Sequence, residues 1–182
     1  YILSKNGMWG KLSNLSINEK KKRLKNKRQG NAEFQSILVD VVNSSDMKEK
    51  IQDIVEKIQK VSESYYETLI LALLIKIMSL DIDASDIGKI IGINTAFDSS
   101  FVQNENVLEI LDFSDGTAKF KIKSAVTANL ILKELDCNDV IIKVLKQTAI
   151  FANRYRCINR YENVLKNIIS YSHVSTFLIK SD

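Results

Sequence analysis

A mainly α-helical fold, with helical segments packed around a central winged-helix-like unit carrying one β-hairpin, is predicted by three observations on these 182 residues. The chain contains no proline, where roughly nine would be usual at ~5%, so helices can run without the missing amide and fixed φ that interrupt them. Apolar residues recur at three- and four-residue spacing along most of the sequence, the period of a helix with one buried face. Asp115-Gly116 stands between two runs that alternate apolar and polar residues, and that arrangement is the strongest short-range sign of a hairpin.

Taken in order, Ser16 and Glu19 form a capping box, in which the serine oxygen and the glutamate carboxylate each satisfy a free amide of a starting helix. A basic helix is expected from Ile17 to about Gln29. Gly30 and Asn31 punctuate the chain, and Phe34, Ile37, Leu38, Val41 and Val42 predict a helix through Asn43. Ser44 and Ser45 offer the next cap, followed by the apolar stripe Met47, Ile51, Ile54, Val55, Ile58 and Val61. Beyond the polar Ser62–Ser64, the segment Tyr65–Leu80 is apolar almost all round, which predicts a central, fully packed helix. Asp83 is placed to cap a short helix Ala84–Ile91, closed by Gly92 where a helix-ending glycine belongs. A further short helix or turn fits Ile93–Asn104. Strands are then expected at Val107–Phe113 and Thr117–Ile122, and Ser124 caps a helix through Leu135. Asn138 or Asp139 starts another to about Tyr155, and a last one spans Ile158–Phe177. Long helix, short helix, third helix and hairpin is the order of a winged helix. The expected organisation is therefore an N-terminal helical region, 1–62, a winged-helix-like domain, 63–136, and a C-terminal helical region, 137–182.

Composition bounds the functional classes. With 45% apolar residues, a chain of this length can bury a substantial core as one domain or two small ones. The first residue is Tyr1, and no secretory leader pattern follows it, so the chain reads as a piece of something longer. The longest apolar run, Leu69–Met78, is broken by Lys76 and is about half the ~20 residues a membrane-spanning helix needs, so no membrane partner is expected. Cys137 and Cys157 lie far apart without a CxxC or Cys/His pairing, which supports neither a zinc site nor a disulfide framework and fits a cytoplasmic protein. One stretch, Lys20–Arg28, carries more positive charge than the whole +4 net charge, so that without it the remainder is slightly acidic.

The candidate binding residues follow from these patterns. Lys20, Lys21, Lys22, Arg23, Lys25, Lys27 and Arg28 can track a phosphate backbone, although a charge run on a helix more often marks a solvated face. Lys119, Lys121 and Lys123 alternate onto one face of the wing, making Lys121, Lys123 and the adjoining Ser124 the candidate phosphate contacts; the alternative is an exposed strand face guarded by lysine against edge pairing. Arg154, Arg156 and Arg160, with Tyr155 and Tyr161, can stack on bases or clasp a phosphate, or form helix-packing salt bridges to Glu162 or Asp139. Asp81, Asp83 and Asp86 lack the glycine and terminal glutamate of a calcium loop and read as helix-capping residues. His173 has no acid or nucleophile within its own helical turn apart from serines and a tyrosine, which marks a surface or partly buried side chain. No catalytic residue and no metal ligand set emerges.

The stretch LEILDFSDGTAKFKIKSAVTANLILKEL, Leu108–Leu135, resembles the wing and following helix of bacterial STAND-type P-loop NTPases, signal-transduction ATPases that include antiviral-defence sensors. LVDVVNSSDMKEKI, Leu38–Ile51, looks like the helical region between their nucleotide-binding core and winged helix, and FANRYRCINRYENVL, Phe151–Leu165, looks like the arginine-rich helix beyond it. The resemblance implies a non-catalytic regulatory module that relays nucleotide state or holds a neighbouring domain or subunit. ATP or ADP would then belong to a nucleotide-binding core, whose GxxxxGK[ST] loop and magnesium-holding acidic strand end are absent from these residues. Some branches of the family set a winged-helix histidine against the nucleotide, whereas this wing ends in Lys121, Lys123 and Ser124. Two other readings stand beside this one. A winged-helix nucleic-acid-binding protein would read the major groove with its third helix, yet Asn94–Asn104 offers no lysine or arginine to base edges. A helical structural adaptor would need no ligand. The expected partner is a protein, with nucleic acid as the alternative.

Overall fold

The computed structural model describes residues 15–25, 45–113, 121–135 and 137–170. It divides into two compact units, residues 1–51 and 52–182. The structure is mainly α with one small antiparallel strand pair.

In the first unit, α1 (Ile17–Lys25) opens on the expected capping box. The Ser16 amide donates to Glu19 Oε2 at 2.9 Å and the Glu19 amide donates to Ser16 Oγ at 3.3 Å. Residues 26–29, and the helix expected over Phe34–Asn43, lie outside the described residues. The second unit begins within α2 (Ser45–Val61), whose buried stripe of Ile51, Ile54, Val55 and Ile58 recurs with helical period. Its outer face carries i,i+4 pairs, Lys57 to Asp53 at 2.6 Å and Lys60 to Glu56 at 3.6 Å.

At the centre of the second unit lies α3 (Glu63–Ile77). Only Ser62 separates it from α2; Glu63 and Ser64, expected as part of a break, already belong to the helix, because the amides of Tyr65 and Tyr66 both find the Ser62 carbonyl. Leu69, Ile70, Leu71, Leu73 and Leu74 are fully buried, and each such side chain contributes about 1.5–3 kcal/mol of transfer free energy. The helix stops at a Schellman-type turn: Ser79 sits at φ 52°, the Leu80 amide reaches back to the Ile75 carbonyl at 2.8 Å, and the Ser79 amide reaches Lys76.

The next element matches its expected span. α4 (Ala84–Ile91) starts on Asp83, which accepts from the Asp86 amide, and ends on Gly92 at φ 85°, a left-handed conformation that glycine adopts without a Cβ penalty. A 3-10 turn (Thr95–Phe97) and α5 (Ser99–Val102), capped by Asp98, follow.

Val107–Ile110, expected as the first half of a strand, is helical. α6 spans Glu105–Ile110, and Asn104 Oδ1 accepts from the amides of Asn106 and Val107 at 3.0 and 3.2 Å. The physical reason lies in Glu109. A strand would put Val107, Glu109 and Leu111 on one face and bury the carboxylate, whereas helical spacing buries Val107, Ile110 and Leu111 and leaves Glu109 exposed. Strand structure is confined among the described residues to β1 (Leu111–Asp112) and β2 (Lys121–Ile122), antiparallel, with Leu111 opposite Ile122 and Asp112 opposite Lys121. The Asp115-Gly116 reversal and most of the expected second strand lie outside the described residues.

α7 (Ala125–Glu134) is capped by Ser124, whose Oγ accepts from the Thr127 amide. α8 (Asn138–Arg154) and α9 (Asn159–Ile169) complete the unit. α9 ends at Ile169, where Ser170 turns to extended backbone at ψ 108°; serine competes for backbone hydrogen bonds and favours such ends, and the rest of the expected span, 171–177, lies outside the described residues. α3 is packed by α4, α7, α8 and β2, while α8 also lies against α4 and α9. No helix among the described residues is long and apolar enough to cross a membrane.

Candidate functional site

Two charged clasps fasten the C-terminal helices onto α3 and α4. The first is built on the start of α4. Asp83 and Asp86 form a reciprocal capping box, with the Asp86 amide donating to Asp83 Oδ1 at 2.9 Å and the Ser85 hydroxyl donating to the same oxygen at 2.7 Å. This local arrangement leaves Asp86 at the third position of the helix, where it is fully buried. A buried carboxylate is stable only with partners, and α9 supplies them. Tyr161 donates its hydroxyl to Asp86 Oδ1 at 2.9 Å, and Arg160 Nη2 donates to Asp86 Oδ2 at 3.0 Å. The other arm of the guanidinium reaches Asp83 Oδ2 at 3.3 Å, so one planar fork spans two carboxylates. Lys89 Nζ adds a contact to Asp86 Oδ1 at 3.5 Å.

The supporting shell is aromatic. The Arg160 guanidinium lies 4.5 Å from the Tyr161 ring centroid, and Tyr161 packs edge-on against Phe151 at 5.2 Å, with Tyr155 beside both. Burial and the Asp86 carboxylate push the Tyr161 phenol above its ordinary pKa, which keeps it a donor. Burial alone would raise the Asp83 carboxyl, but Ser85, the Asp86 amide and Arg160 outweigh it and hold the group below the ordinary aspartate value.

The second clasp joins α8 to α3. Lys143 donates to Glu63 Oε1 at 3.0 Å and to Glu67 Oε1, and Glu67 is buried among the apolar residues of α3. Hydrogen bonding from Lys143 lowers the Glu63 pKa, and bonding to Glu67 and Glu63 raises that of Lys143. Chemically, both clasps hold groups in place. Neither sets a nucleophile beside a free base, and no cluster of His, Cys, Asp or Glu among the described residues has a metal-holding arrangement.

The sequence-predicted residues are distributed as follows. Lys121 is exposed in β2. Lys123 is exposed too, but its ammonium donates to the Leu108 carbonyl and its amide to that of Ile110 at 3.0 Å, so it serves the C-terminal end of α6. Ser124 Oγ receives the Thr127 amide at 3.2 Å. The wing residues thus join the end of α6 to the start of α7. Lys21 and Lys22 are exposed on α1, and Lys20, Arg23 and Lys25 lie along the same helix. Lys27, Arg28, Lys119 and His173 fall outside the described residues. Arg154 and Arg156 are exposed at the α8–α9 corner. Arg160 departs from its expected partners: it pairs with Asp83 and Asp86, while Glu162 pairs with Lys166 at 2.7 Å. Capping was the expected role of Asp83 and Asp86, yet the burial of Asp86 and its link to α9 went unread. The available signal was an acidic residue, Asp86 or Glu67, set on an otherwise apolar helix face, which demands a partner from elsewhere. An open groove of about 350 Å³ at the end of α3, lined in part by Lys76, Ser79 and Asp81, lies apart from both clasps and carries no ring of converging buried polar groups. No protein-family model, curated protein or solved structure matches this chain.

Proposed function

We propose that this chain is a non-catalytic regulatory and interaction module, the helical and winged-helix part of a STAND-like NTPase, which relays nucleotide state or holds a neighbouring domain or subunit. The observation that carries the reading is the Asp86 carboxylate, fully buried and shared between its own helix and Arg160 and Tyr161 of α9. Such a group resists being left alone, because removing one partner of a buried ion pair is strongly destabilising. A push on α9 therefore moves α4 with it, which is what a relay between the two requires. The order of helices with two short strands between α6 and α7 supports the winged-helix part of the proposal. The phosphate-facing role of the wing is the weaker element, since Lys123 and Ser124 are engaged in capping.

The test is the coding sequence upstream of Tyr1. An in-frame Walker A loop followed by an acidic strand end supports the assignment. An upstream frame without either contradicts it and leaves a helical adaptor.

A further inference from the structure

The outer face of α8 carries Asp139, Ile142, Lys146, Ile150 and Asn153 at three- and four-residue steps symmetric about Lys146, opposite the buried Ile141, Val144, Thr148 and Phe151. All five are exposed, with Ile142 at 51% and Ile150 at 55%. Near the two ends of this seam, Asp139 and Arg154 have no ion pair among the described residues, although Lys143, Arg160 and Lys166 around them are all paired.

These positions are self-complementary. Two copies of the seam, laid antiparallel about a two-fold axis at Lys146, bring Ile142 of one against Ile150 of the other, because both lie four residues from the axis. Asp139 then meets the Asn153-Arg154 end of the other helix, and in a two-fold contact every such pairing occurs twice. We propose that this face docks a second copy of the same chain, α8 against α8, antiparallel. Charge complementarity at both ends and two apolar pairs between them favour this occupant over an unrelated helix. Lys146 meets its own copy on the axis. Its methylene stem covers the isoleucines while the ammonium runs out to water, and a lysine at such a seam position sets register at a cost in affinity. Two faces of this length bury less than the ~1,200 Å² of a standard interface, so the association is weak and reversible.

Sedimentation of the full chain over a concentration series tests this. The wild type should shift from monomer toward dimer as concentration rises, and Lys146→Leu should tighten the dimer about tenfold by replacing like charge with apolar contact. Ile150→Asp should remain monomeric throughout. Asp139→Arg and Arg154→Asp should each weaken the association, and the two together should restore it. That rescue cannot come from better helix formation, since both substitutions oppose the helix dipole; thermal melts of the exposed-site variants verify that each is folded. Wild type and Lys146→Leu both monomeric at every concentration would overturn the proposal. So would a dimer that Ile150→Asp leaves intact, or a double variant no better than either single one.

Discussion

Ser79 holds a left-handed backbone at φ 52°, a conformation that costs a residue with a Cβ roughly 1–2 kcal/mol. It is tolerated because the turn satisfies the last carbonyls of α3 and seats Leu80 in the core. Ser79→Gly should therefore stabilise the protein by about 0.5–1 kcal/mol, the relief of strain being partly offset by the freer unfolded chain. Gly92 has the same requirement at φ 85°, and Gly92→Ala should cost about 1 kcal/mol. Chemical denaturation of the two variants checks both signs, and a stabilising Gly92→Ala would contradict the αL cap. Gly92 was legible in the sequence because helix-closing glycine is a local rule. Ser79 was not, because nothing in a serine announces positive φ.

At the scale of elements, the local signals carried as far as local chemistry reaches. The Ser16, Asp83 and Ser124 caps each depend on an oxygen within three residues of the amide it serves, and all three helix starts were readable. The apolar run around Ile110 was not, since a six-residue helix and a strand share the same β-branched content, and the face of Glu109 decides between them. Asn104→Ala removes the cap of α6 and should cost about 1 kcal/mol, with loss of helical chemical shifts over Glu105–Ile110 as the specific readout; unchanged shifts and stability would argue against that cap. The clasps were illegible for a different reason, because Asp86 and Arg160 stand 74 residues apart and no local pattern pairs them. Asp86→Ala leaves the Tyr161 hydroxyl without its acceptor and Arg160 with Asp83 as its one carboxylate partner among the described residues, so a loss of about 1–3 kcal/mol is expected, with the α9 amides exchanging faster than those of α3. Equal acceleration in both helices, or no change, would contradict the clasp. Asp83 adds a pH dependence. Its folded pKa lies below the unfolded value of 3.8, so its contribution is present above about pH 4 and is lost as pH falls through the folded value. Asp83→Asn should accordingly flatten the acid limb of stability against pH, leaving the neutral region's slope unchanged.

For the whole molecule, the mainly α class followed from the absence of proline and the helical period, both properties of the entire chain. Its basic residues, by contrast, cluster in one stretch, Lys20–Arg28, and the segment expected to read a groove carries no lysine or arginine. Duplex binding should therefore be weak, indifferent to sequence and steeply reduced by salt; selective binding that persists near physiological salt would favour a nucleic-acid reader instead. The regulatory reading rests on charged groups spent in holding helices together and on a sequence without a phosphate-cradling glycine-rich loop and its lysine. Calorimetric titration of this chain with ATP and magnesium tests that reading most directly. The expected result is no heat of binding at any concentration tested, and a saturable micromolar affinity would contradict it.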